Sequence, residues 1–392
     1  MENKSKKLRF KGIKLDIRIF TMVSVLVLLW IVFAFTTSKG FTTFDRSFIS
    51  FRNISNLLRQ MSIVGIIGCS MVLVIVSGGI DLSAGAVVGF VGCLAATLQV
   101  YGNFDTVPVI IISLVIGCLV YIIQGSIIAF AGLAPFIVTL GGQLVFIGVV
   151  LGMTRGQTIA PLRPSLRYFG QDNISEPMTF IIGLILVAML LLNEFIRRSS
   201  KRKHGTLEES LQAMFIRWFL ISIGIIAFVL ILNSFRGMPV PVLIMFLIAI
   251  LLTIVAERTT LGRSIYAIGG NIDAARYSGI NVKRNIVMVY TLHGFMVSIA
   301  GIVLAARLNA GTVAVTNMNL ELDAIAAAVI GGASFSGGVG KVGGAILGAL
   351  IMGTIDNGMS MMNMDAFWQY IVKGIILVTA VWFDSYTRSR RK

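Results

Sequence analysis

Residues 108–132 read PVIIISLVIGCLVYIIQGSIIAFAG and contain no charged side chain. An α-helix needs about 20 apolar residues to cross the hydrocarbon core of a bilayer. The apolar residues here run on without the alternation that marks a barrel strand. This stretch therefore predicts a transmembrane helix, and similar stretches recur along the chain.

The composition of the 392-residue chain agrees with this prediction. Its hydrophobic fraction is 56% and its charged fraction is 13%, whereas a soluble domain carries about 25% charged residues. Because so few charges cannot cover a water-facing surface, we expect membrane lipid to be the solvent for most of the outside.

We expect an all-α polytopic integral membrane protein with about 10–12 transmembrane helices in one domain, residues 1–392. The segment 321–334 is short for a span and predicts a broken or re-entrant helix. Residues 53–60 predict an amphipathic helix that lies at the membrane interface before the second span. The expected spans are 17–36, 61–79, 84–101, 108–132, 134–153, 178–196, 214–234, 241–256, 286–306, 321–334, 341–361 and 366–384.

The distribution of basic residues predicts the orientation. The formal net charge is +16, and Lys and Arg gather at the N-terminus (1–16), at 197–203, in the loop 257–285 and in the C-terminal tail (385–392). With twelve spans all four clusters fall on one side, which the positive-inside bias makes cytoplasmic. Because the clusters flank hydrophobic spans, we expect no nucleic-acid binding.

A polar stretch between two spans predicts a short helix on this basic side. Asn271 is a good N-cap, and Asp273 follows in the first turn, where the helix dipole favours an anion. Ala274 and Ala275 are strong helix formers. Gly279 can end the helix in a left-handed conformation, so we expect a helix of about two turns from Asn271 to Gly279.

Two glycine-rich breaks are similar to one another. The segment from Val76 to Gly85 resembles the segment from Val329 to Gly338, and transporters often contain repeated halves with broken helices at their centre. A true repeat and a chance agreement both stay open. The glycines at 344 and 348 have the spacing of a helix-packing motif, for which packing within one chain is favoured over a dimer seam.

Acidic residues in or near the spans are candidates for a translocation pathway, because burying charge in lipid is costly. Asp81 either caps the helix that starts near residue 82 or lines the pathway together with Ser83. Glu321 and Asp323 open the short helix, and either role is open for them as well.

A second group of candidates lies towards the C-terminus. Asp356 and Asn357 lie deep in a span and are expected to face the interior of the bundle. Lys373, near the start of the last span, can pair with Asp356 or with Asp365. Such a pair is favoured as a structural contact over a contact with substrate.

Trp368 and Gln369 supply the aromatic face and the amide that suit a sugar, although Trp is equally expected as an anchor at the membrane interface. His293, within a span, is expected to make a helix-packing hydrogen bond. No Cys/His cluster has metal-ligand spacing, and no stretch has the pattern of a phosphate loop. We therefore expect no metal, no cofactor, no catalytic residues and no ATP site in this chain.

The stretch from Asp273 to Gly279 resembles the Glu-Ala-Ala-x-x-x-Gly loop of ATP-binding-cassette importer permeases, with Asp in place of Glu. Residues 79–85, 269–282 and 321–332 are similar to the ribose/xylose/galactose branch of that family. The tail from Asp356 to residue 374 is most similar to its xylose-transporting members. Those members also carry an extra hydrophobic pair, which corresponds here to residues 178–234 with their basic loop.

This resemblance implies a non-enzymatic permease subunit of the bacterial inner membrane that imports a monosaccharide, with D-xylose as the favoured sugar. A multiple-monosaccharide specificity (arabinose, galactose or glucose) is the alternative. The resemblance also implies that the loop 257–285 carries a coupling helix for cytoplasmic ATPase subunits. It further implies a second permease copy in a homodimer and an extracytoplasmic sugar-binding protein. A cation-coupled secondary transporter is the rival, but it does not explain the capped loop.

Overall fold

The computed structural model describes residues 7–10, 13–37, 47–203 and 211–389. These residues form a helical bundle, which confirms the expected fold class. An antiparallel hairpin of β1 (Lys7–Phe10) and β2 (Ile13–Asp16) precedes the first helix. Parts of the expected basic segments, at 1–6, 204–210 and 390–392, lie outside the described residues. The helices are α1 Ile17–Thr36, α2 Phe51–Val76, α3 Ala84–Val100, α4 Thr106–Ala131, α5 Pro135–Thr154, α6 Pro164–Gln171, α7 Glu176–Lys203, α8 Leu211–Asn233, α9 Val240–Arg258, α10 Thr260–Gly270, α11 Ile272–Tyr277, α12 Val282–Leu308, a 3₁₀ helix Val313–Asn317, α13 Leu320–Ile330, α14 Val342–Met361 and α15 Ala366–Ser389.

Most of these helices fit a membrane. Within the described residues, nine helices are long and apolar enough to cross one, and α3 and the first part of α15 are shorter apolar helices. α13 has 11 residues, so it extends only about 16 Å. That length confirms the expected short or broken helix. The nine long helices and the two shorter apolar ones make eleven, which lies within the expected range of about 10–12 spans.

Two expected boundaries are wrong. α2 begins at Phe51 and runs without a break into the span, so residues 53–60 form no separate interfacial helix. Ser50 starts the helix by accepting a hydrogen bond from the amide of Asn53, and no Gly or Pro follows to interrupt it before Gly65. The apolar span in α7 is Glu176–Ile196, which agrees with the expected 178–196, but the basic segment after it is helical through Lys203 where a loop was expected, because Lys and Arg are good helix formers.

The connections between helices contact one another in two groups. Ile159 and Gly311 form an isolated β-bridge in one group. In the other group, the amide of Gly338 donates to the carbonyl of Val76 at 2.9 Å. α12 separates the groups, because it begins shortly after α11 and ends just before Gly311. The loop 257–285 and the glycine-rich breaks therefore share one end of the bundle.

The centre of the bundle is built around α2. In its most hydrophobic window 89% of the residues are buried, compared with 12% in α7, so most of the α7 surface is exposed. α13 packs against α14 through glycine: a Cβ at Gly344 or Gly348 would overlap the backbone of Gly331 or Ala327. This close approach confirms the expected packing within one chain.

Candidate functional site

A buried polar cluster surrounds the carboxylate of Asp81, in the connection between α2 and α3. The Tyr121 hydroxyl of α4 donates to Oδ2 at 2.6 Å, and Nε2 of His293 in α12 lies 3.0 Å from the same oxygen. Ser83 donates to Oδ1 through its amide and its hydroxyl, both at 2.7 Å. All four residues are buried. The cluster thus provides the hydrogen bonds that a buried carboxylate requires.

The expected cap role of Asp81 is wrong in its geometry. Ser83, not Asp81, occupies the N-cap position of α3, and its side chain makes no capping bond. Non-helical backbone carries Asp81 from Gly79 into the bundle, where Tyr121 and His293 meet the carboxylate. Asp81 therefore joins helices instead of capping one.

His293 makes the expected helix-packing hydrogen bond. Its Nδ1 lies 2.7 Å from the Ser70 hydroxyl oxygen, which joins α12 to α2. Its second partner, Asp81, stands 212 positions earlier in the chain, and no local sequence signal links the two. Gln124 extends the cluster, because its Oε1 lies 3.1 Å from the Ser83 hydroxyl.

Glu321, in the first turn of α13, is buried and only partly hydrogen-bonded. The Gln143 side chain of α5 donates to its Oε1 at 3.1 Å. Its Oε2 has no hydrogen-bond partner among the described residues and lies against Gly85, where a Cβ would overlap it. Leaving such an oxygen unpaired is costly, and a pathway role for Glu321 stays a prediction.

An ionic triad connects the last three helices. Nζ of Lys373 in α15 lies 2.8 Å from Oδ2 of Asp323 in α13 and 3.0 Å from Oδ1 of Asp356 in α14. The expected pairing with Asp356 is confirmed, and the second partner is Asp323 instead of Asp365. The triad is a structural contact, and a pathway role for the two acids stays a prediction.

The remaining pathway candidates are Asn357, which follows Asp356 of the triad in α14, and Trp368 and Gln369 in α15. Asn357 exchanges hydrogen bonds of 2.8 and 3.1 Å with Asn53, which joins α14 to the start of α2. Trp368 is exposed, and the Gln369 amide donates to a backbone carbonyl of its own chain at 3.2 Å. No contact among the described residues brings Trp368 or Gln369 to the buried acids, so a sugar-binding role for them stays a prediction.

The short helix on the basic side has the expected ends. The Asn271 side chain accepts from the amide of Ala274 at 2.9 Å, which confirms the N-cap. Gly279 follows the helix with φ +81°, and its amide donates to the carbonyl of Arg276 at 3.0 Å. The helix itself, α11, is one and a half to two turns long, close to the expected length.

α11 has one packed face and one free face. Ala275 is buried against Ile268 and Val282. Asp273 is exposed and forms an ion pair with Arg276 at 3.5 Å, and Ala274 is exposed as well. The free face is therefore available to a partner, although no described contact tests that role.

Two features of this region were not predicted from the sequence. Tyr277 is 90% exposed and lies one turn after Asp273 on the same face. An exposed aromatic side chain is typical of protein interfaces, and its spacing from Asp273 could have indicated it. The other feature is α10, which starts where the Thr259 side chain accepts from the amide of Gly262 at 3.1 Å.

A cavity of about 540 Å³ lies beside α11. Its lining includes the turn Ser77–Gly79, the end of α4, and the residues Arg276 and Tyr290. None of the eight pathway candidates lines it. α11 thus faces open space on one side and is not locked against the Asp81 cluster.

A multi-pass bundle with partnered carboxylates in its interior and a capped helix at one end agrees with a membrane transport subunit. A family profile described as "Branched-chain amino acid transport system / permease component" matches residues 53–381. Because that match covers most of the chain, the protein belongs to this permease family. It is a multi-pass protein of the bacterial inner membrane.

The chain is also similar to characterised permeases over almost its whole length. It is 42% identical to the xylose transport system permease protein XylH of Escherichia coli K12, over 97% of this chain and 95% of that one. It is 33% identical to the ribose import permease protein RbsC of Bacillus subtilis 168, over 98% and 97%. The galactose/methyl galactoside import permease protein MglC of Escherichia coli K12 is 32% identical, over 89% and 90%. No solved structure matches the chain.

Proposed function

We propose that this chain is the membrane-spanning permease subunit of an ATP-binding-cassette importer. It carries a monosaccharide into the cytoplasm, and D-xylose is the favoured cargo. The observation that carries the proposal is the 42% identity to a xylose permease along nearly the full length of both chains. Identity to the ribose and galactose permeases is lower, at 33% and 32%. Their similarity supports the alternative of a multiple-monosaccharide importer.

The proposed partners follow from the role of a permease. One cytoplasmic ATPase subunit docks on the free face of α11 in each of two permease copies, where Asp273 and Tyr277 lie exposed. An extracytoplasmic protein delivers the sugar at the opposite end of the bundle. A second copy of this chain completes the pathway. The chain itself supplies no ATP site and takes no part in hydrolysis.

Transport would proceed by alternating access. Closure of the ATPase subunits pushes α11, and the helices before and after it carry the motion into the bundle. Glu321 is the strongest pathway candidate, because it is a buried acid with an unpartnered oxygen. A sugar hydroxyl is a donor that suits such an oxygen.

Uptake of labelled D-xylose tests the proposed function. The host lacks this gene and carries the rest of the transport system, and the gene is restored in one strain. Excess unlabelled arabinose, galactose, glucose and ribose compete in separate assays. Restored, ATP-dependent uptake that none of these four sugars competes supports a dedicated xylose importer. Competition by several sugars supports the alternative, and no restored uptake contradicts the proposal.

The Gly279→Trp variant tests the coupling role of α11. The residue has φ +81° and open space around its Cβ position, so an indole would project from the end of the docking face. We expect ATP hydrolysis to continue while sugar uptake falls. Gly279→Asn is the control, because Asn tolerates a left-handed backbone. Normal uptake in the Trp variant would remove the coupling assignment.

A further inference from the structure

Three backbone segments meet without intervening side chains at the end of α10. Gly269 lies in the last turn of this helix, and a Cβ added to it would overlap the Val76 carbonyl and lie 2.6 Å from the Gly338 amide. That amide donates to the Val76 carbonyl at 2.9 Å. Only glycine at position 269 allows the three segments to approach so closely.

A hydrogen bond one turn earlier in α10 also joins this helix to the segment 331–341. The Tyr266 hydroxyl in α10 donates to the Gly340 carbonyl at 2.8 Å. Tyr266 and Gly269 are three residues apart and therefore lie on one face of α10. This face is attached at two points to residues 331–341, the segment that follows α13.

Each end of this contact leads directly to a functional element. On one side, Gly270 alone separates Gly269 from Asn271, the N-cap of α11. On the other side, residues 331–341 continue directly from α13. The first turn of α13 contains Glu321 with its unpartnered oxygen. A displacement of α11 thus has a short route to the broken helix, through the backbone contact at Gly269 and the hydrogen bond of Tyr266.

We propose that Gly269 and Tyr266 are positioning residues that transmit the movement of α11 to α13. Backbone atoms in contact cannot yield by changing rotamer, so a push on α10 moves the 331–341 segment with it. This inference rests on the proposed function, because an ATPase docked on α11 supplies the push. It adds the element that receives the movement and the residues that carry it.

The test compares Gly269→Ala with Gly270→Ala in the assembled transporter reconstituted into vesicles. A Cβ at 269 overlaps two backbone segments, whereas a Cβ at 270 has nothing within 4 Å. The substitutions are therefore matched in helix propensity and in position. For Gly269→Ala we expect ATP hydrolysis to continue and sugar imported per ATP to fall about 10- to 30-fold. Gly270→Ala should keep the wild-type ratio.

Tyr266→Phe tests the same inference if the Gly269→Ala variant fails to fold. It removes only the hydroxyl that donates to Gly340, and we expect sugar imported per ATP to fall about two- to threefold. A spin label at Val339→Cys, an exposed position, adds a direct readout in a background lacking the native cysteines. A non-hydrolysable ATP analogue should change its mobility in wild type and in Gly270→Ala, but less in Gly269→Ala.

The outcomes separate the inference from the proposed function. An active wild type with unchanged import per ATP in Gly269→Ala, or in Tyr266→Phe where the first variant does not fold, overturns the inference alone. A wild type without ATP-dependent uptake overturns the proposed function and the inference with it. Loss of coupling in Gly269→Ala, with normal coupling in Gly270→Ala, supports the inference.

Discussion

The Asp81 cluster and α11 differ in what their polar residues achieve. In the interior, Asp81 receives hydrogen bonds from Tyr121, Ser83 and His293, and none of these side chains is exposed. On the surface, α11 uses its polar residues to form its own ends and leaves one face uncovered. Polar groups at the centre thus hold helices together, whereas those on α11 prepare a small surface for another protein.

The largest effect should come from Asp81→Ala. The substitution leaves the donors of Tyr121, Ser83 and His293 buried without their acceptor. Removing one partner of a buried pair costs about 3–5 kcal/mol. We expect a clearly lower midpoint of thermal unfolding for the protein in detergent, together with loss of transport.

The control for this prediction is Glu257→Ala, which removes an exposed carboxylate near the end of α9 and should leave the midpoint unchanged. Asp81→Asn should fall between the two, because the amide oxygen still accepts a hydrogen bond. An Asp81→Ala protein as stable as wild type would mean that the cluster does not stabilise the bundle.

A smaller loss is expected for Lys373→Met. It leaves Asp323 and Asp356 without the shared ammonium group and removes an ionic contact that links α15 to α13 and α14. The cost should be about 1–3 kcal/mol, less than at Asp81 because the Lys373 side chain is 19% exposed. Thermal unfolding of the purified variant measures it.

A neutral triple variant sharpens this result. Asp323→Asn and Asp356→Asn, added to Lys373→Met, remove both uncompensated carboxylates, and replacing a buried ionic group as a whole is often close to neutral. We expect recovery of most of the lost stability. If the triple variant is no more stable than Lys373→Met, the loss comes from packing and not from charge.

Features that depend on neighbouring residues could be predicted from the sequence. The cap of Asn271, the left-handed Gly279 and the short α13 are all written within a few positions. Asp356 was also one of two expected partners of Lys373, because few other charges lie in the last two spans. In each case hydropathy and local propensity are enough.

Features that depend on how helices face one another could not be predicted. Hydropathy places His293 in a span and leaves open which neighbour its side chain meets, so its contact with Asp81 was missed. The contact of Gly269 with Gly338 is made by backbone atoms, which leave no side-chain pattern to read. In a transmembrane helix, the side that faces lipid and the side that packs against a neighbour are both apolar, so the sequence does not tell them apart.

The smallest effect on stability, and a specific one on assembly, should come from Tyr277→Ala. Because the side chain is 90% exposed, its removal should change the free energy of unfolding by no more than about 0.5 kcal/mol. If α11 is the docking surface, the exposed aromatic residue at its C-terminal end should contribute about 2 kcal/mol to binding, roughly 30-fold in affinity. Binding of the ATPase subunits to the permease in lipid nanodiscs measures this contribution.

Tyr101→Ala provides the matched control for that measurement. Tyr101 is 67% exposed and follows α3 at the opposite end of the bundle, so its removal should leave ATPase binding unchanged. Equal binding by both variants would place the docking surface elsewhere than on α11. Weaker binding by Tyr277→Ala alone, with unchanged stability, would establish the contrast with Asp81, since one polar region would then act on the fold and the other on a partner.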